Sequence, residues 1–168
     1  MLKQLALTVG LVWCLVSLVQ AEPQTVEECE KNIPASLKNR VCELRQYKTD
    51  ASPDMDKHMQ CVLQVTGFVD GEGEVEFQEL RGLLEIVQPG GKHVENIKKC
   101  VAESSKVGTS KKANTFYTCF LQTDSESGFK QAVDYSELVR AGKLKANTPY
   151  NRAQVTKLIK EIDDGLCS

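Results

Sequence analysis

Ser52 to Gly67 reads S-P-D-M-D-K-H-M-Q-C-V-L-Q-V-T-G, and this run decides the fold class. Ser52 is a helix cap, Pro53 suits the first helical position, and Asp54 and Asp56 sit where the positive end of the helix dipole favours acids. Met55, Met59, Val62, Leu63 and Val65 follow before Gly67. Upstream, Thr25-Val26-Glu27-Glu28 has capping-box spacing, Pro34 and Ser36 mark a break, and a second segment runs from about Ser36 to Tyr47. Downstream, Phe77, Leu80, Leu83 and Leu84 belong to a fourth helical segment that stops at Pro89-Gly90-Gly91. A fifth covers about Val94 to Ser104, Ser110 caps a sixth that runs through Leu121, and a seventh starts near Ser127 and stops at Gly142. Thr148-Pro149 opens the last segment and Gly165 closes it. Between them Val155, Leu158, Ile159 and Ile162 recur at i, i+3, i+4 and i+7, a one-sided apolar stripe. Strand alternation is hard to find, so the predicted class is all-α.

The first 21 residues differ from the rest: Lys3 is their one charged residue, Leu5 to Val19 are almost all apolar, and Ala21 ends the stretch. That pattern predicts a cleavable secretory leader over 1–21 and one helical domain over 22–168. The apolar run is short for a membrane span, which needs about 20 residues. Of 168 residues, 168 − 21 = 147 remain after cleavage. Seven cysteines lose Cys14, giving 7 − 1 = 6, and the formal charge becomes 20 − 23 = −3. An even cysteine count behind a leader points to three disulfides, although six cysteines allow about fifteen pairings. A slightly acidic chain argues against nucleic acid as a partner, since phosphate contacts need a basic surface. No second apolar stretch suits a membrane.

Phe68 to Glu79, F-V-D-G-E-G-E-V-E-F-Q-E, imitates a calcium loop. Its first place, which needs a carboxylate, is Phe68, so the run is expected to be an acidic turn between two helices. His58 and His93 sit in no zinc frame, and neither a nucleophile elbow nor a phosphate loop is present. No catalytic residue, metal or cofactor is expected. Polar residues do gather near cysteines: Glu30 follows Cys29, Arg45 comes three after Cys42, His58 three before Cys61, and Tyr117 two before Cys119. A disulfide-bearing face points inward, so these groups need buried partners. Internal satisfaction is one reading, with Arg45 on Glu43 or Glu30 and His58 on a backbone carbonyl; a ligand site is the other. On the seventh segment Asp134 and Glu137 are i and i+3, beside apolar Phe129, Ala132 and Val133. They suit either an ammonium seat or a solvated face with Lys130 as neighbour.

The opening T-V-E-E-C-E-K-N-I-P-A-S-L-K-N-R-V-C-E-L-R resembles short D-seven-related salivary proteins of mosquitoes, a branch of the insect odorant-binding-protein superfamily. So do M-D-K-H-M-Q-C-V, A-N-T-F-Y-T-C-F and the final L-C-S, and the resemblance spans the mature chain and the leader. It implies about eight helices around a central pocket, the pairing Cys29–Cys61, Cys42–Cys167 and Cys100–Cys119, and secretion into saliva. It also implies a non-enzymatic, monomeric scavenger of the host amines serotonin, histamine and noradrenaline, which drive vasoconstriction, platelet aggregation and inflammation. In that family pattern Asp134 and Glu137 hold the ammonium, while Glu30, Arg45, His58 and Tyr117 meet the ring end. Val133 stands where an amine binder can carry Phe. Two other functions fit the resemblance: a protein-binding anticoagulant acting on host factor XII and kininogen, and a carrier of apolar odorants or lipid mediators. Charged pocket residues disfavour the carrier, because an apolar ligand leaves them unpaired.

Overall fold

Thr25 and Ser52 act as the sequence predicts. In a computed structural model describing residues 24–167, each accepts a hydrogen bond from the backbone N–H three residues on, Glu28 and Met55 respectively. The expected leader over 1–21 lies outside the described residues. Within them run α1 (Val26–Lys31), α2 (Val41–Arg45), α3 (Pro53–Val65), α4 (Phe77–Val87), α5 (His93–Ser104), α6 (Thr109–Phe120), α7 (Glu126–Arg140) and α8 (Arg152–Cys167). A 3-10 helix, Ala35–Arg40, leads into α2. The chain is all-α, with eight α-helices among the described residues. None of them is long and apolar enough to cross a membrane.

Three boundaries differ from expectation. The segment from Ser36 to Tyr47 is divided, because Arg40 leaves helical geometry at φ −117° and ψ 6°. Its guanidinium is held there by Glu43 and Asp50. Helix α6 begins at Thr109 with Gly108 at its cap position and no side-chain cap bond, so Ser110 lies inside the helix. Helix α8 begins only at Arg152, where Asn151 Oδ1 accepts from Gln154 N at 3.0 Å. It runs through Gly165 to Cys167. An exposed helical glycine costs only about 1 kcal/mol, and the bond from Cys167 to Cys42 anchors the last turn.

The core is aromatic and lies between α3, α6 and α7. Phe68, Phe116, Phe120 and Phe129 are fully buried, with Phe120 and Phe129 centroids 4.9 Å apart. Leu80, Leu84 and Ile97 extend it beneath α4 and α5. A smaller cluster of Leu138, Leu144 and Val155 seats α8 on α7, with Leu158, Ile159 and Ile162 partly buried beside it. Cys29–Cys61 joins α1 to α3, Cys100–Cys119 joins α5 to α6, and Cys42–Cys167 joins α2 to the end of α8.

The imitation calcium loop is a turn. Phe68 is buried, Val69 and Val75 form an antiparallel bridge, and Asp70 Oδ1 accepts from Glu72 N and Glu74 N at 2.8 and 2.9 Å. Its best-placed acid therefore serves the backbone. Gly73 adopts φ 74°, and a Cβ there would meet Gln60 Oε1 at 2.9 Å. Among the described residues no group of three or more His, Cys, Asp or Glu is arranged to hold a metal ion.

Candidate functional site

Glu30, Arg45, His58, Tyr117, Asp134 and Glu137 come from α1, α2, α3, α6 and α7, and all six line one cavity. Val26, Ile33, Leu44, Met59, Val62 and Val133 supply apolar wall. The helices bring these groups together for a local reason. On α1, α3, α6 and α7 the polar residue lies in or beside the buried face, and Cys29–Cys61 clamps α1 onto α3 so that Glu30 and His58 face the same space. The cavity is small, about 40 Å³, room for a few waters.

Arg45 organises the site. Its Nη1 donates to Glu137 Oε2 and Oε1 at 2.8 and 2.9 Å and to Glu30 Oε1 at 3.1 Å. Its Nε donates to Asp163 Oδ1 at 2.7 Å. Glu43, one of the two partners considered from sequence, turns instead to Arg40. Burial opposes the Arg45 charge, but the carboxylates of Glu137 and Glu30 outweigh it and hold the guanidinium protonated. Burial also pushes the carboxyl groups of Glu137 and Glu30 upward, against the pull of Arg45.

Asp134 forms a second pole. Tyr47 Oη donates to its Oδ1 at 2.5 Å and lies 2.9 Å from the Lys130 carbonyl. Burial raises the Asp134 carboxyl to about 6; the Tyr47 bond resists this, while Glu137 adds to it. The solvated-face alternative for Asp134 and Glu137 does not hold. Glu137 is only 5% exposed, and Lys130 pairs with Glu126 at 2.6 Å while its ammonium lies 5.3 Å from the Tyr47 ring centroid. Three carboxylates, Glu30, Glu137 and Asp163, therefore bond one guanidinium, and Asp134 adds a fourth acid to the cavity, so with all four ionised the negative charge is in excess.

Two buried polar atoms of the cavity residues lack partners, Glu30 Oε2 and His58 Nδ1. The backbone carbonyl expected to satisfy His58 does not bond Nδ1. Burial and the nearby Arg45 charge lower His58 to about 4, so its ring is neutral at neutral pH. Tyr117 is raised by burial and stays a phenol. Its ring stacks on Tyr47, with centroids 6.5 Å apart and planes 22° from parallel.

Sequence reasoning missed Tyr47 and Asp163. Tyr47 follows α2 with φ 63°, and its N–H donates to the Leu44 carbonyl while Lys48 N–H donates to Glu43, a left-handed helix ending. Glycine is the usual residue there, so nothing marked a tyrosine. Asp163 did carry a signal: it lies four residues after Ile159 and eight after Val155, an acid on the apolar stripe of α8.

A profile of the PBP/GOBP family matches residues 17–123. The short form salivary proteins D7R2 and D7R3 of Anopheles gambiae are 63% and 64% identical to the chain, over 99% and 94% of its length and 100% and 94% of theirs. The crystal structure of a D7R4–norepinephrine complex from Anopheles gambiae superposes with a TM-score of 0.81 at 36% identity, over 86% of this chain and 99% of that one. These are ligand-binding rather than catalytic folds, and the matched relatives are salivary. With eight helices, three disulfides and near-full-length relatives, the chain belongs to the PBP/GOBP family and, within it, to the short-form D7 salivary proteins.

Proposed function

We propose that the secreted chain, residues 22–168 as one monomeric domain, binds and sequesters cationic aryl-ethylamines of the host: serotonin, histamine and noradrenaline. One observation carries this reading: four carboxylates against one guanidinium, beside an apolar and aromatic wall. A cation corrects that imbalance, whereas a fatty acid or neutral odorant does not. The D7R4 structure that superposes on this chain is of a norepinephrine complex, which supports the same ligand class.

In this reading Asp134 and Glu137 take the ammonium through charge-assisted hydrogen bonds. Neutral His58, the Tyr117 hydroxyl, Arg45 and the free Glu30 oxygen meet ring hydroxyl or ring N–H groups. Leaving Glu30 Oε2 and His58 Nδ1 unpaired costs about 1–3 kcal/mol each, which a ligand with donors at its ring end recovers. No turnover is needed, because capture alone lowers free mediator.

Titration calorimetry of the refolded chain against the three amines and a fatty-acid probe tests the reading. Asp134→Ala is expected to weaken amine binding by about 2 kcal/mol or more, roughly thirtyfold. Unchanged affinity overturns the role of Asp134. Binding of the fatty acid in place of all three amines overturns the function.

A further inference from the structure

Helices α2 and α8 are joined by two parallel rungs. Cys42 and Arg45 are three residues apart on α2, and Cys167 and Asp163 are four apart on α8. One rung is the disulfide; the other is the 2.7 Å bond from Arg45 Nε to Asp163. The ionic rung has a geometric consequence. The hydrogen bonds of the guanidinium to Glu137 and to Glu30 are made by Nη1. Glu137 and Glu30 hold the planar group through Nη1 and Asp163 holds it through Nε, so the plane is braced from two sides and Asp163 supplies the brace on the rim side. Asp163 sits at the rim, its side chain 33% exposed against 9% for Arg45.

We propose that Asp163 is a positioning residue for the amine site: it locks the plane of Arg45 against the pocket and adds negative charge at the rim without touching the ligand. This rests on the amine-binding reading. The groups it faces are Arg45 and, behind it, Glu30, Asp134, Glu137 and neutral His58. Asp163 disfavours ionisation of Glu30, Asp134 and Glu137, so its removal changes the titration of the pocket as well as its shape.

The test uses the full secreted chain with Asp163→Asn and Asp163→Glu, titrated with serotonin from pH 5 to 8. Asp163→Asn is expected to bind serotonin at least about tenfold more weakly at pH 7.5. Its pH midpoint for binding should fall below that of the parent, which is set by Asp134 at about 6. Asp163→Glu should recover affinity to within about threefold, because a carboxylate is restored. A merely structural role would weaken both variants alike and leave the midpoint in place, and that result overturns the proposal. The Arg45 Nε–H resonance of the ligand-free protein decides separately. It should exchange slowly in the parent and quickly in Asp163→Asn, and its persistence in the variant overturns the proposal. A parent chain that binds no amine sinks the amine-binding reading, while loss of the protected Nε–H in Asp163→Asn still upholds the lock on Arg45.

Discussion

Asp134 and His58 face one cavity, and burial shifts them in opposite directions. Asp134 rises from an ordinary 3.8 to about 6, and His58 falls from 6.5 to about 4. Both prefer to be neutral, but linkage gives them opposite signs. A raised carboxyl contributes stability below its unfolded value, near 3.8, and loses it as pH rises through about 6. A depressed histidine contributes stability above 6.5 and loses it as pH falls through about 4. Each is worth about 3 kcal/mol at most, so on acidification from pH 6.5 to 4 they largely cancel. Asp134→Asn removes one side of that balance, and its unfolding free energy should drop by about 2–3 kcal/mol between pH 6.5 and 4 relative to the parent. His58→Asn should gain by a similar amount over the same window. Urea unfolding at the two pH values checks both, and parallel pH profiles for the two variants would refute the pairing. Ligand binding has one sign only: a cation needs ionised Asp134, so amine affinity should fall as pH drops through about 6.

At the scale of the element, α2 and its ending separate what could be read from what could not. Helix α3 was legible because Ser52, Pro53 and the first-turn acids act through local backbone geometry, and its apolar residues all found the core. Glu30, Arg45, His58 and Tyr117 drew notice because cysteines nearby implied an inward face, and they do line the cavity. Tyr47 escaped because a left-handed position opposes its side chain by about 1–2 kcal/mol, a strain that only tertiary contacts explain. Those contacts are the Tyr117 stack and the bond to Asp134. The split at Arg40 was hidden for the same reason, since its partner Asp50 lies ten residues away. The role of Tyr47 gives a prediction. Its hydroxyl holds the Asp134 carboxyl down, so Tyr47→Phe should move that titration above 6 with the ring stack retained. At pH 7 amine affinity should fall by about two- to fivefold, as for one lost hydrogen bond. Carbon-13 NMR of the carboxyl reads the midpoint directly, and a midpoint that stays put or falls contradicts the role.

Across the whole molecule the three disulfides do different work. Cys29–Cys61 and Cys100–Cys119 close loops of 32 and 19 residues, and each has one half buried in the core, Cys29 at 2% and Cys100 at 0% exposure. Cys42–Cys167 closes a separation of 125 residues, and Cys167 is exposed. Chain entropy assigns them about 4, 3 and 5 kcal/mol respectively as ideal values. The long bridge is thus the most stabilising on this count and, through Cys167, the most open to attack by an external thiol. It also carries the end of α8, whose hold on the rest of the fold is otherwise the small cluster around Leu138 and Val155 and the Arg45–Asp163 bond. Graded reduction under native conditions should therefore open Cys42–Cys167 first. The pair Cys42→Ser/Cys167→Ser should lose about 3–5 kcal/mol of unfolding free energy and, where still folded, bind amines about tenfold more weakly. The pair Cys100→Ser/Cys119→Ser joins helices that carry only Tyr117 into the site, so it should lose about 3 kcal/mol with affinity nearly unchanged. Urea unfolding and calorimetry on both variants make the comparison. Equal loss of affinity in the two would mean that the bridges stabilise the chain without placing the site. Loss confined to the α2–α8 variant would identify that bridge as the one that seats the wall carrying Arg45 against the wall carrying Asp163.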